Sequence, residues 1–268
     1  MSKQVDLYNS TYGNFEEQVL AEVRRETYRE DIGQNSWITT HEYDTFYSWL
    51  NLATKDHVLE IASGSGGPAL YLAKKFSCRI TGLDINEAGV KTANHQALDA
   101  NITGAKFQVA DADQHLPFDD STFDAAICID SMNHIRDRLK LLYEWHRVLK
   151  KGNRILFTDP VVITGPVSNE ELAARSSIGF FIFIPLAVTE KFIEEAGFKL
   201  IRREDVTGNI ELTSGRWHNS RQKHREDLIK IEGEERFEGL QNFLATVHQL
   251  TNERRLSRFA FLAEKQGG

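Results

Sequence analysis

The sequence is poor in cysteine and in long hydrophobic runs, and it has no excess of basic residues. Its two cysteines, Cys78 and Cys128, lie inside apolar stretches, so we expect buried thiols in a reducing cytoplasm rather than a disulfide framework or a metal site. The longest apolar run, 178–187, is too short to cross a bilayer, and the first residues lack the apolar segment of a signal peptide. With a net charge of −7, the chain is not expected to bind nucleic acid or a membrane.

The order of apolar patterns predicts one α/β domain over residues 1–268. Strand-like runs alternate with helical patterns from residue 56 onward, and this alternation is typical of a parallel sheet covered by helices on both faces. We expect an N-terminal helical lid at 14–52, a ligand-binding core at 56–206, a helical cap insertion at 211–253 and a last strand at 256–263.

A loop of small residues follows the first predicted strand and precedes a helix. The segment 58–73 begins with an apolar run, passes through Gly64 and Gly66, and continues with helical spacing. Because glycines add no bulk, the backbone there can come close to a ligand at the start of a helix. Asp84 ends the next predicted strand, where a carboxylate can accept hydrogen bonds from a ribose diol. These features predict a cofactor that contains a nucleoside.

Two classes of cofactor compete for this loop. Its G-x-G-x-x-A pattern, with Asp84 as the acidic partner, fits a dinucleotide site, so a NAD-dependent oxidoreductase is one alternative. Glu60 in the first strand, however, repels a diphosphate and attracts an amine, and Pro68 removes an N–H that a phosphate would need. Asp111, with the N–H of Ala112, can bind the edge of an adenine. Three acidic side chains at neighbouring strand ends favour a cationic nucleoside without phosphate, as S-adenosylmethionine is.

The ordered motifs at 60–66, 82–85, 110–118 and 121–124 resemble those of class I S-adenosylmethionine-dependent methyltransferases. The resemblance implies a Rossmann-like, seven-stranded, mostly parallel sheet whose last strand, 256–263, is antiparallel. It also implies S-adenosyl-L-methionine as methyl donor and S-adenosyl-L-homocysteine as product. Ala62 stands where the family has its first glycine, and we expect an alanine to be tolerated there if its φ is negative.

Within that family, two segments resemble small-molecule enzymes that act on glycine, sarcosine and phosphoethanolamine. They are the loop 32–39 and the Asp-x-x-x-His sequence at 130–134. The stretch 181–184 is apolar where the phosphobase enzymes bind phosphate, and Arg175 is the cation near it in the sequence, so phosphoethanolamine is disfavoured as the substrate. The methyl acceptor itself is not readable from the sequence.

His134 and Asp130 are the candidate catalytic residues. A histidine can accept the proton that an amine or hydroxyl acceptor must lose, and the i, i+4 spacing places both side chains on one face if the segment is helical. The structural alternative is that Asp130 caps and His134 packs against the next helix. The expected cofactor-binding residues are Trp37, Glu60, Ala62, Gly64, Gly66, Asp84, Ile85, Asp111, Ala112 and Ile129.

The predicted function is therefore methyl transfer to nitrogen or oxygen of a small molecule, without a metal. The alternatives are the nicotinamide-dependent oxidoreductase and a non-catalytic cofactor-binding protein. Tyr12, Tyr28 and Tyr43 are further candidates for the site wall, and a homodimer is left open.

Overall fold

A central sheet organises the computed structural model, which describes residues 8–267 except for the side chains of Asn9 and Ser10. The strands are β1 His57–Ile61, β2 Arg79–Asp84, β3 Ala105–Val109, β4 Phe123–Cys128, β5 Leu149–Ile163, β6 Ile184–Pro185, β7 Phe198–Asp205 and β8 Leu256–Lys265. Their order is β3-β2-β1-β4-β5-β8-β7, and the two-residue β6 pairs with β5. Strands β1 to β5 are parallel, whereas β8 runs antiparallel to both β5 and β7. The predicted mostly parallel sheet with an antiparallel last strand is confirmed.

Helices cover the sheet and its carboxyl edge. They are α1 Tyr8–Gly13, α2 Gln18–Tyr28, α3 Thr40–Leu50, α4 Gly67–Phe76, α5 Glu87–Asp99, α6 Arg138–Val148, α7 Asn169–Arg175, α8 Leu186–Glu195, α9 Thr207–Lys223, α10 Arg225–Glu232 and α11 Glu234–Asn252. Three of them, α9 to α11, form the insertion before β8, which was predicted at 211–253. Helix α7 begins at a capping box that Ser168 and Glu171 form.

The two faces of the sheet carry separate apolar cores. One face packs against α3, α4 and α5, with Phe46, Leu72 and Ala93 fully covered, and the other packs against α6 and α8 around Trp145. Both cysteines are buried and unpaired, as expected. Within residues 8–267, no helix combines the length and the apolarity that crossing a membrane requires.

A third apolar cluster joins the N-terminal segment to the insertion. Trp37, in the loop between α2 and α3, contacts Phe243 of α11 and Trp217 of α9. Helix α2 also packs along α9. The lid and the cap are therefore one packed unit, and burial of these large side chains stabilises it.

Candidate functional site

A cavity of about 380 Å³ lies at the carboxyl ends of β1, β2, β3 and β4. This is the point where the strand order reverses, and open α/β sheets bind ligands there. The N-terminal segment closes the cavity from above with Tyr8, Tyr12, Gly33 and Asn35. Of the residues predicted for the site, the following line it: Glu60, Ala62, Gly64, Asp84, Ile85, Asp111, Ala112, Ile129, Asp130 and His134.

The glycine loop uses several of its own N–H groups to hold its shape. Gly64 donates to Asp84 Oδ2 over 2.7 Å, Ser63 donates to the carbonyl of Leu83, and Gly66 donates to the carbonyl of Ser63. These donors are consequently not directed at a ligand, as they would be in a diphosphate site. The loop presents a shaped backbone surface to the cavity, and Asp84 fixes that shape.

Two residues of this loop depart from expectation. Ala62 has φ +58, so the condition of a negative φ is not met and the alanine occupies the left-handed region at a cost of about 1 kcal/mol or more. Gly66 has φ +80 and does not line the cavity; a Cβ there would lie 2.7 Å from Cβ of Ala93. The structure thus places Gly66 where α4 approaches α5 closely.

Glu60 and Asp84 make the floor of the cavity acidic. Glu60 is 4% exposed, and its Oε2 has no hydrogen-bond partner among the described residues. Burial, and then the neighbouring Asp84, raise the pKa of Glu60 to about 8. Burial also raises the pKa of Asp84, although backbone N–H groups of Asn86, Gly64 and Ile85 oppose this. An unpaired buried carboxyl group of this kind is suited to a cationic ligand group.

Asp111 and Asp113 both line the cavity, but their carboxylates accept different hydrogen bonds. Asp113 Oδ1 accepts from the N–H groups of Arg136 and Asp137, and therefore ties β3 to the start of α6. Asp111 Oδ1 accepts from the N–H of Asp113 over 2.9 Å. The engagement of Asp113 with the start of α6 leaves Asp111 as the better placed of the two for a ligand.

His134 lies in a short 3-10 turn, Met132–His134, after β4. Its Nδ1 is 2.7 Å from the carbonyl oxygen of Phe180, and its Nε2 is 3.0 Å from the hydroxyl of Tyr8. Since a carbonyl only accepts, Nδ1 carries the proton and Nε2 is left as an acceptor. Burial lowers the pKa of His134 to about 4, so the imidazole is neutral at pH 7 with its lone pair on the cavity side.

Asp130 does not pair with His134, contrary to what the i, i+4 spacing suggested. Its carboxylate accepts from Arg258 over 2.6 Å, from the hydroxyl of Thr158 and from the N–H of Trp37. Arg258 is fully buried and also binds Glu42 of α3. The segment is no α-helical turn, because Asp130 has φ +57. Asp130 therefore joins the sheet, the lid loop and β8 rather than acting on the histidine.

A second, smaller cavity of about 30 Å³ adjoins the first. Tyr8, Asn35, Asp130 and His134 are among the residues that line both. The side chain of Trp37, proposed from the sequence to contact the cofactor, lines this smaller cavity and not the larger one.

Three residues that line these cavities were not predicted as site residues from the sequence: Tyr8, Asn133 and Arg175. Tyr8 lies 126 residues from its partner His134, a separation that no local pattern reveals. Asn133 sits within the Asp-x-x-x-His segment, and that position was the available signal. Of the three tyrosines named as candidates, Tyr12 lines the larger cavity.

The sequence matches the family model described as a methyltransferase domain over residues 59–157. It is 29% identical over 232 residues to 27-O-demethylrifamycin SV methyltransferase of Amycolatopsis mediterranei (strain S699), covering 85% of this chain and 79% of that protein. It is 30% identical to the ubiquinone/menaquinone biosynthesis C-methyltransferase UbiE of Geobacter sp. (strain M21), over 57% of this chain and 74% of that one. A glycine/sarcosine/dimethylglycine N-methyltransferase of Actinopolyspora halophila is 27% identical over 69% of this chain, which spans 33% of that protein.

The fold is also that of solved methyltransferases. Phosphoethanolamine N-methyltransferase 2 of Haemonchus contortus, solved with phosphomonomethylethanolamine and S-adenosylhomocysteine, superposes with a TM-score of 0.81 at 19% identity. The alignment covers 97% of this chain and 60% of that one. The similarity in structure, at this identity, establishes the fold.

Proposed function

Because this chain belongs to the S-adenosylmethionine-dependent methyltransferases, we propose that it transfers the donor's methyl group to an oxygen of a small organic acceptor, with His134 as the proton acceptor. One observation carries the proposal: a neutral, half-buried imidazole presents Nε2, as a hydrogen-bond acceptor that Tyr8 now occupies, at the edge of a cavity that also contains the acidic residues suited to a nucleoside. The nicotinamide alternative rested on the glycine fingerprint, and the N–H groups of Ser63, Gly64 and Gly66 in that loop are engaged within the protein.

The acidic wall fits S-adenosylmethionine. Glu60, whose Oε2 is unpartnered, would pair with the amino group of the donor, and Asp84 would accept from the ribose hydroxyls. Asp111 and the N–H of Ala112 would bind the adenine edge, between Ile85 and Ile129. When bound, the donor supplies an electrophilic methyl group on a sulfonium and leaves as S-adenosylhomocysteine.

The charges around His134 favour an oxygen acceptor over an amine. Asp130 pairs with Arg258, and Asp159 pairs with Arg138, so both carboxylates already have a cationic partner and are poorly available to an ammonium product. Arg175, also buried there, adds positive charge. An acceptor hydroxyl is neutral before transfer, and its proton can pass to His134 Nε2 as the new C–O bond forms.

Tyr8 holds the place that the acceptor hydroxyl would take in this scheme. Burial raises the pKa of the Tyr8 hydroxyl well above its ordinary value, so it donates to Nε2 rather than ionising. An acceptor that replaces this contact gains the same hydrogen bond. The N-terminal segment covers part of the cavity, and the reaction there would depend mostly on positioning.

Two measurements test the proposal. Isothermal titration should detect S-adenosylhomocysteine but not NAD, and tritium from the methyl-labelled donor should enter phenols and alcohols rather than matched amines. His134→Asn retains an amide N–H for the carbonyl of Phe180 but removes the base, so we expect turnover to fall about 10²- to 10⁴-fold with unchanged S-adenosylhomocysteine affinity. His95→Gln, at an exposed histidine, is the control.

Transfer to amines in preference to hydroxyls would refute the choice of oxygen. Unchanged turnover in His134→Asn would refute the role of the histidine while leaving the methyl donor assigned.

A further inference from the structure

Two buried polar side chains that line the smaller cavity have atoms without a hydrogen-bond partner among the described residues. Arg175 is 2% exposed, and its Nη1 has no hydrogen-bond partner within residues 8–267. Asn133 is 1% exposed, and neither Oδ1 nor Nδ2 of its amide has one in that part of the chain. Both side chains line the same cavity. A buried charge or amide without a partner is costly, and proteins keep such groups where a ligand supplies the partner.

The protein holds Arg175 by stacking rather than by an ion pair. Its guanidinium carbon lies 4.9 Å from the ring centroid of Phe181 and 5.1 Å from that of Phe243. The two nearby carboxylates, Asp130 and Asp159, are bound to arginines of their own. Stacking fixes the guanidinium plane without using its N–H groups, so the N–H groups of Nη1 stay available as donors.

We propose that this cavity binds a carboxylate of the methyl acceptor, with Arg175 Nη1 and Asn133 Nδ2 as donors. The inference rests on the proposed function and names the class of acceptor. A volume of about 30 Å³ admits a group the size of two waters, which suits a carboxylate head. One arginine and one amide match a planar, singly charged group better than a tetrahedral dianion.

The position of the cavity relates the carboxylate to the reaction. Tyr8 and His134 line both cavities, and their hydrogen bond lies between them. An acceptor whose acid group is bound by Arg175 would therefore extend past His134 into the larger cavity. The aromatic side chains of Trp37, Phe181 and Phe243 make the wall of the smaller cavity apolar around its two donors, so the rest of the acceptor must extend toward the larger cavity.

Benzoate and its neutral isostere benzamide test the subsite by isothermal titration, with and without saturating S-adenosylhomocysteine. We expect benzoate to bind the wild-type protein at least about tenfold more tightly, because a charge-assisted hydrogen bond exceeds a neutral one by that much. Arg175→Met should reduce benzoate to the level of benzamide without changing S-adenosylhomocysteine affinity. Arg175→Lys should keep part of the preference, and Arg79→Met, at an exposed arginine at the amino end of β2, should keep all of it.

Asn133→Asp provides a second test that keeps Arg175 in place. The new carboxylate would pair with Arg175 and reject benzoate while sparing benzamide, which decides the matter if Arg175→Met fails to fold. Equal affinity for benzoate and benzamide in the wild type, or a preference that survives in Arg175→Met, would overturn the proposal. Tighter binding of phenyl phosphate than of benzoate would overturn the choice of a carboxylate. If S-adenosylhomocysteine does not bind, the methyl-donor assignment fails, whereas the benzoate comparison without it still decides the subsite.

Discussion

Glu60 should couple cofactor binding to the release of a proton. In the free protein the pKa of its carboxyl group is about 8, against an ordinary 4.5, because burial and the neighbouring Asp84 disfavour the charged form. At pH 7 about 0.9 of the molecules therefore carry a proton on Glu60. An α-amino group of ordinary pKa, about 8, is charged at that pH. To pair with the ammonium of S-adenosylhomocysteine, Glu60 must lose its proton.

The size and sign of the effect follow from the linkage between protons and ligand. Below pH 7 each binding event releases close to one proton, so the affinity for S-adenosylhomocysteine should fall about tenfold as the pH drops from 7 to 6. Folding stability shows the opposite trend. The folded protein holds this proton between pH 4.5 and 8 whereas the unfolded chain has released it, so Glu60 lowers stability as pH rises through that window, by at most about 5 kcal/mol.

Titration calorimetry in buffers of different ionisation enthalpy counts the released protons directly. We expect about 0.9 proton at pH 7 for the wild type, none for Glu60→Gln, and the wild-type value for Glu195→Gln, an exposed acidic control. Methylthioadenosine shares the nucleoside but lacks the amino acid, so its affinity should not change between pH 6 and 7. If S-adenosylhomocysteine binds the wild type with no proton release and a flat pH dependence, Glu60 does not receive the ammonium.

Two further predictions concern the lid. In Gly67→Ala the new Cβ would overlap the carbonyl oxygen of Ile32. We therefore expect the free energy of unfolding to fall by about 1–3 kcal/mol and S-adenosylhomocysteine to bind more weakly. Gly208 has open space around it, so Gly208→Ala should stabilise α9 slightly. Equal urea midpoints for the two variants would contradict this account. Arg258→Met leaves Asp130 without its buried partner and should cost about 3–5 kcal/mol, measured as a Tm lowered by about 10 °C; an unchanged Tm would show that the buried network adds nothing.

The sequence predicts the sheet, and it predicts that three acidic residues meet at one cavity, because both depend on local patterns. The apolar run that begins the segment 58–73 lies in β1, and Glu60, Asp84 and Asp111 come together because parallel strands bring their carboxyl ends to one edge. Their individual roles toward the cofactor stay predictions.

The acceptor side depends on contacts between residues far apart in the chain, and local reasoning is weak there. Their spacing predicted that Asp130 and His134 share one face. In the structure, Arg258, 128 residues from Asp130, donates to the carboxylate, and the Tyr8 hydroxyl is hydrogen-bonded to the imidazole. Arg175 stacks between two rings, one of them on the distant α11, and no periodic pattern in the sequence indicates this contact. Such pairings are set by packing of the lid and the cap.

The position of β8 in the sheet has a consequence for biosynthesis. Among the strands within residues 8–267, β8 is synthesised after all the others, yet it lies between β5 and β7, and it carries the arginine that binds both Asp130 and Glu42. The nascent protein therefore lacks the strand between β5 and β7 until β8 emerges. The residues that line the larger cavity from β1 to β4 can gather early in translation, but the contacts of Asp130 and Glu42 with Arg258 form only after synthesis has passed residue 258.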